Sequence, residues 1–575
     1  MSHYYILPNQ TKKFFIKENF DPLNKNDVKE IVAKLSGEVP NSFKSAREWY
    51  GLFHEASCAI SEAQTILELD LYFNTTNKLA EEKLNEFEEN ILSQLLIARS
   101  DLMDVYMSSP WRHSMHTYDN ERIYKDFKIR RKYTNQEISL LQIEENQHIR
   151  EYKKFVNSAK TKFAERTLPI SVVIGKLNDN NPEIRKSAFF SYWNFVKENE
   201  HVYQDIFDAL LENRLKQADS VQAKNYVEVA FSELGRIDYG ERECKELRDS
   251  IFKESIPVIE RIAKRQKKSL NTETIKPWDI SIFPQLMPET SPVNGDLNML
   301  IASMQNITSK IHPSFGKLFH EMKSNNLIDI APRANKAAGA FCVTFQESKV
   351  PFIFANFSGH FRDAMTFIHE FGHALHGYAV SNIENVLLRH PGFEFCEVAS
   401  IGLELLASPF FTAWWKDKKD AQKALTFQLF HMLHFWPFMS MMDEWQHNIY
   451  STKQKLTATQ RNNAWLSISK KYRPQVDWSG CEEFEELGWI SRPHVFTSPF
   501  YYIDYGIAQV GALQLWKKSR ENYAQAVNNY IAGISLGAQC SLQNLFTASD
   551  LQFDFSESMI KNLCEEIEKE IEKIG

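Results

Sequence analysis

His369, Glu370 and His373 stand as H-E-x-x-H inside FRDAMTFIHEFGHALHGYAV (361–380). On a helix, residues four apart share a face, so both imidazoles reach one metal ion while the glutamate lies beside it. These are the parts of a hydrolytic centre: an ion that polarises a carbonyl and activates water, and a base that takes the water's proton. A catalytic zinc needs a third protein ligand and an open fourth position. Glu397 is a candidate, 24 residues after His373, and Glu394 and Glu404 are rivals in the same stretch. Spacing alone does not choose among the three.

The elements that must hold these residues can be read around them. Met365, Ile368, Phe371 and Leu375 form an apolar stripe at helical spacing; Ser358 offers a cap and Asp363 sits in an early turn. The run GFEFCEVASIGLELLASP, between Pro391 and Pro409, predicts a second helix carrying the three glutamates. Ahead of both, FCVTFQ (341–346) and PFIFANF (351–357) are short aromatic and β-branched runs that predict an antiparallel hairpin. Elsewhere the pattern is helical. Leu84, Phe87, Ile91 and Leu95 recur at three- and four-residue steps within 79–102, and Ile567, Ile571 and Ile574 do so at the C-terminal end. The fold class expected is mainly α, with a small antiparallel sheet beside the H-E-x-x-H helix. Pro169 and NDNNP (178–182) predict an N-terminal helical lobe over 1–165 and a catalytic domain over 166–575.

The string HEFGHALH (369–376) followed by CEVAS (396–400) resembles the oligoendopeptidase F and thimet-oligopeptidase family of zinc peptidases. NKAAGAFC (335–342), the segment 427–450, PHVFTSPFYYIDYGIAQVGALQLW (493–516) and LGAQCSLQNLFTASDLQF (536–553) extend the resemblance, which covers about residues 165 to 560. It implies a large two-lobed helical peptidase fold. It also implies that Glu397 is the third ligand to one zinc ion per chain, beside His369 and His373, with Glu370 as general base on a zinc-bound water. Glu404, about two turns beyond Glu397, becomes a partner for a ligand histidine. His376 shares the ligand face and is left as a supporting or structural residue. A histidine followed by tyrosines makes His494, Tyr501, Tyr502 and Tyr505 candidates for substrate contact and oxyanion stabilisation. Tyr505 is common to the Tyr-x-x-Tyr pair of related dipeptidyl carboxypeptidases and to the oligoendopeptidase F pattern.

The activity expected is zinc-dependent endopeptidase cleavage of short unstructured peptides, whose main chain pairs with an exposed strand edge. The alternatives are a zinc exopeptidase of the dipeptidyl carboxypeptidase kind, and a helical peptide-binding protein without turnover. The last would show a damaged H-E-x-x-H or a missing tyrosine set, and the sequence has both intact.

Composition narrows the rest. The chain has 575 residues, 43% hydrophobic and 25% charged, which suffices for a large core without disulfides and excludes disordered or small disulfide-scaffold classes. The net charge of −7 gives no reason to expect nucleic acid or an anionic membrane as partner. MSHYYILPNQTKK lacks a signal-peptide pattern, and Ala424 to Met442 is interrupted by Gln428, His431, His434 and Pro437. Seven scattered cysteines without C-x-x-C fit free thiols, so a cytoplasmic location is expected. Gly533-Ile-Ser535-Leu-Gly537 matches a nucleophile elbow, but a helical pattern precedes it and no histidine follows it. His431, His434 and His447 lie in an apolar helical stretch and are expected to be interior histidines.

Overall fold

The structure is a computed structural model in which residues 5–8, 13–112 and 121–574 are described. Most of the N-terminal segment weighed above as a leader lies outside them. The chain is mainly α-helical, and its helices group into two compact units. The first comprises Met1–Ser139, Glu289–Ala421 and Gly511–Phe553; the second comprises Leu140–Pro288, Gln422–Val510 and Asp554–Gly575. Residue 165, the boundary expected from the sequence, lies in the turn of a short hairpin, Lys160–Phe163 with Arg166–Pro169, that the sequence reading did not anticipate.

In the first unit, the expected periodicity of 79–102 forms a continuous helical run, Lys78–Phe87, Glu88–Leu92 and Ser93–Ser108, with a π-turn in the middle. Leu84, Phe87 and Ile91 are buried with Val28, Ile60 and Leu67. The predicted hairpin is present as Phe341–Phe345 paired antiparallel with Val350–Phe354. A third strand, Ile328–Asp329, runs parallel to Val350–Phe354 on its other side. Two residues are too few to leave an alternation to read, so this strand has no signature in the sequence. The order leaves Phe341–Phe345 as an end strand of this sheet.

The H-E-x-x-H helix spans Phe361–Val380, and Met365, Ile368, Phe371 and Leu375 are buried as the stripe required. Phe371 packs edge-on against Phe319 of helix Pro313–Ser324 at 5.4 Å between ring centres. Its cap differs from the expected one. His360 is the N-cap: its Nδ1 accepts from the Arg362 amide at 3.3 Å, and Asp363 Oδ2 accepts from the His360 amide at 3.0 Å. Ser358 instead donates to the Asp363 carboxylate through both its amide and its hydroxyl. The next helix, Phe393–Leu406, carries the three candidate glutamates.

In the second unit, helix Glu241–Leu270 packs along the C-terminal helix Glu557–Glu572. Ile567 and Ile571 are fully buried, and Arg261 forms a two-pronged pair with Glu568 at 2.7 and 2.6 Å. No helix among the described residues is long and apolar enough to cross a membrane. The seven cysteines form no disulfide among the described residues.

Candidate metal centre

The first unit brings three side chains to one point. Glu397 Oε2 lies 3.4 Å from His369 Nε2 and 3.6 Å from His373 Nε2, and the three donor atoms all fall within 4.8 Å of one another. The two imidazole planes stand 85° apart with centres at 4.9 Å. Tetrahedral zinc with ligand bonds near 2.0–2.1 Å separates neighbouring donors by about 3.4 Å, so the spacing and the two-imidazole, one-carboxylate chemistry fit that ion.

The local sequence explains the convergence. Gly372 lies between the two histidines, and a Cβ there would meet Ser400 Cα at 2.5 Å and the Ala399 carbonyl oxygen at 2.9 Å. Only glycine lets helix Phe361–Val380 approach helix Phe393–Leu406 this closely. Ser400 also donates its hydroxyl to Glu397 Oε2 at 2.9 Å, which fixes the carboxylate. Tyr530 donates to the Ala399 carbonyl at 2.7 Å and anchors the same turn. Sequence reasoning missed Ser400 and Gly372. The available signal was a glycine inside the motif and an Ala-Ser pair in the partner helix.

The three glutamates now separate. Glu397 joins the histidines; Glu404 Oε1 lies 2.6 Å from His369 Nδ1, where it orients that ring; Glu394 is buried but does not join the group. His376 is buried, and its Nε2 has no hydrogen-bond partner among the described residues. Burial pushes it down to about 3, with His390 adding to the effect, so the ring is neutral.

The electrostatics of the centre are strongly graded. Burial works against a charged His369, but the hydrogen bond it donates to Glu404 and the charges of Glu404, Glu397 and Glu370 outweigh it and hold the ring up to about 10. Burial, then the charge of His369, pushes His373 well below its ordinary value. Glu370 is 5% exposed, and burial raises its carboxyl to about 7; His369 pulls it down, while Glu397 and Glu404 push it further up. Cys342 of the end strand feels the Glu370 charge as well as its own burial, which places the strand beside the glutamate. On the same helix, a Cβ at Gly377 would lie 2.1 Å from Thr344 Oγ1 of that strand.

The second unit gathers the remaining candidates. His494 stacks on Tyr501 at 5.3 Å and 9°, and meets Tyr502 edge-on at 5.2 Å; Tyr505 lies 5.2 Å from Tyr501 and 6.1 Å from Tyr502. Tyr502 is buried against Phe435 and Phe438, whereas Tyr501 and Tyr505 are half-buried. Burial, then Arg492, pushes His494 down to about 4, and its Nδ1 has no hydrogen-bond partner among the described residues.

The two discounted constellations are ordinary. Ser535 follows helix Tyr523–Ile534 and donates to the Ile531 carbonyl at 2.7 Å. His434 Nδ1 lies 3.0 Å from the Phe430 carbonyl, and His447 lies between Glu241 and Asp443.

A family model described as Peptidase family M3 matches residues 177–564. An oligoendopeptidase F homolog of Borreliella burgdorferi is 23% identical over 376 residues, 63% of this chain and 60% of the relative. Oligopeptidase PepF of Bacillus subtilis is 22% identical over 384 residues, 64% of this chain and 53% of the relative. The chain thus covers less than two thirds of the length of either. Among solved structures, PZ peptidase A with an inhibitor superposes with a TM-score of 0.90 at 26% identity, covering 97% of this chain and 99% of that one. An oligoendopeptidase-F from Enterococcus faecium shares the fold, with a TM-score of 0.65 at 13% identity over 96% of this chain and 97% of that one.

Proposed function

The chain belongs to Peptidase family M3, and from that membership and the geometry of the centre we propose that it is a zinc-dependent endopeptidase of short unstructured peptides. The observation that carries the reading is the convergence of His369 Nε2, His373 Nε2 and Glu397 Oε2 within 4.8 Å. In this proposal those residues hold one zinc ion, and Glu404 fixes the His369 ring through Nδ1. Zinc, when bound, supplies a Lewis acid for the scissile carbonyl and lowers the pKa of water to about 7.

The chain's own residues do the rest. Glu370, buried beside the ligands without joining them, takes a proton from the attacking water and passes it to the leaving amine. The end strand Phe341–Phe345 offers backbone amides and carbonyls to an extended peptide, a mode of binding that reads main chain rather than side chains. His494, Tyr505 and Tyr501 are assigned by resemblance to the negative charge that develops on the carbonyl oxygen. Burial of Tyr502 against Phe435 and Phe438 favours Tyr501 and Tyr505 over it.

The test is cleavage of an end-blocked, internally quenched peptide, with chelator and zinc add-back in parallel. Zinc-dependent cleavage at an internal bond is expected. Zinc-loaded protein that cuts no end-blocked peptide of any length overturns the endopeptidase reading.

A further inference from the structure

The second unit supplies its buried arginines with carboxylates: Arg214 lies 2.7 Å from Glu145, and Arg236 lies 2.5 Å from Asp504. Two arginines beside the His494 cluster are treated differently. The guanidinium carbons of Arg473 and Arg492 stand 4.8 and 4.9 Å from the centre of one ring, that of Phe438. Neither guanidinium has a hydrogen bond or an ion pair with any described residue. Glu485 is the carboxylate whose charge acts on Arg473, but it is buried and takes the Ser469 hydroxyl at 2.7 Å instead.

The two cationic carbons are no more than about 10 Å apart, inside roughly one Debye length at 0.1 M salt. Burial, followed by the charge of Arg492, pushes Arg473 down to about 10. A shared ring face is a weak substitute for a carboxylate, and a guanidinium fork is shaped to take one in two-pronged fashion. Arg473 is half-buried and Arg492 exposed, so both can be reached from solvent. The pair is therefore short of one anion, and its donors are open to receive it.

Position indicates which anion. Phe438 meets Tyr502 edge-on at 5.8 Å, Tyr502 meets His494 at 5.2 Å, and Arg492 precedes His494 by two residues. A peptide that reaches His494 and its tyrosines carries one carboxylate whatever its sequence, at its C-terminal end. We propose that Arg473 and Arg492 hold a carboxylate of the bound peptide, the C-terminal one or that of an acidic last residue. The inference rests on the peptidase reading above and deepens it: a free carboxylate at the C-terminal end becomes a determinant of which peptides are taken. A neutral His494 does not compete for the same anion.

Four quenched peptides of one sequence test this: free acid, carboxamide, and carboxamides ending in Glu or in Gln. With the full-length zinc-loaded protein, kcat/KM for the acid should exceed that for the amide about tenfold, chiefly through KM. Arg473→Gln and Arg492→Gln should each bring that ratio toward one and leave the amide peptide within about twofold of its original rate. The Glu/Gln pair separates the two sources: an arginine-dependent preference for Glu assigns a side-chain carboxylate as well. Ratios near one in both pairs, ratios that survive both substitutions, or equal slowing of acid and amide peptides overturn the proposal, the last by reducing the arginines to packing on Phe438. Because Arg492 is exposed, Arg492→Gln carries the test if Arg473→Gln does not fold. Anisotropy of labelled acid and amide peptides on zinc-loaded Glu370→Gln reads the same ratio without turnover. Absence of any cleavage by the unmodified protein thus sinks the activity, while this ratio still judges the arginine pair.

Discussion

Gly372→Ala is the substitution whose effect follows most directly from the distances. The added Cβ meets backbone, Ser400 Cα at 2.5 Å, Ala399 O at 2.9 Å and Ser400 N at 3.1 Å, and backbone cannot rotate aside. Ordinary contact between carbons begins near 3.5 Å, so helices Phe361–Val380 and Phe393–Leu406 must part by about 1 Å. Overpacking of this kind costs about 1–3 kcal/mol of stability. The functional cost is larger, because Ser400 is the residue that holds Glu397 Oε2, at 2.9 Å. A 1 Å retreat carries the carboxylate several times beyond the roughly 0.2 Å that a ligand position tolerates. Zinc affinity should fall about a hundredfold or more, and turnover at limiting zinc should fall with it. Competition against a chromophoric chelator measures the first, and thermal melting of the same samples measures the stability term. Gly175→Ala is the control: nothing lies within 4 Å of a Cβ there, so it should leave zinc affinity unchanged and be neutral or slightly stabilising. A Gly372→Ala protein that loses stability yet binds zinc as tightly as the parent would refute the argument that helix approach sets the metal site.

Further outcomes follow from the same geometry. Glu370→Gln should retain one zinc per chain and lose turnover, by metal analysis and peptide assay on one preparation; stoichiometric loss of zinc would remove Glu370 from the role of base. Glu397→Ala should weaken zinc binding, whereas Glu394→Ala should not; the reverse result would mean that the wrong glutamate has been chosen. Glu404→Gln should weaken zinc binding by about 10–100-fold through the His369 ring, and unchanged affinity would show that ring to be held by its packing instead. Burial pushes His434 and His494 down to about 4, against an ordinary value near 6.5. Between those values the unfolded chain binds protons that the folded chain does not, so stability is full above about pH 6.5 and is lost as the pH falls toward 4, at about 1–3 kcal/mol per histidine. Urea midpoints at pH 7 and pH 5 check this, and His434→Gln should reduce the difference between them; an undiminished difference would assign the acid sensitivity to other groups.

What could be read from the sequence was what a single element determines. The 3.6-residue period placed His369 and His373 on one face and buried Met365, Ile368, Phe371 and Leu375, because those relations hold within one helix whatever surrounds it. The hairpin was legible for the same reason, through alternation in adjacent runs. The choice among Glu394, Glu397 and Glu404 was not, since it depends on how far helix Phe393–Leu406 is rotated and how closely it approaches, and both are set by Gly372 against Ser400. The cap fell to His360 rather than Ser358 because the Asp363 carboxylate takes amides from both residues, a competition that residue preferences alone do not resolve. Arg473 and Arg492 gave no signal, being 19 residues apart and brought together only by Phe438.

Under the proposed function, Gly372 and Gly377 also explain how one helix serves both metal and substrate. At about 100° per residue, and with His369 set at 0°, His373 falls at about 40°, Gly372 at about −60°, Gly377 at about 80° and Glu370 at about 100°. The ligand pair thus lies between two glycines. One lets the Glu397 helix close in on one side; the other lets Thr344 of the end strand close in on the opposite side. Glu370 falls on the strand side, as the influence of its charge on Cys342 also indicates. A base on the ligand side would crowd the third ligand. In the proposed reaction, the strand side would set it beside the main chain of a peptide added to that edge, where a proton moves from water to the departing amine. Under the proposed function, the H-E-x-x-H spacing thus fixes more than two ligands: it also fixes the side of the metal on which the peptide bond lies.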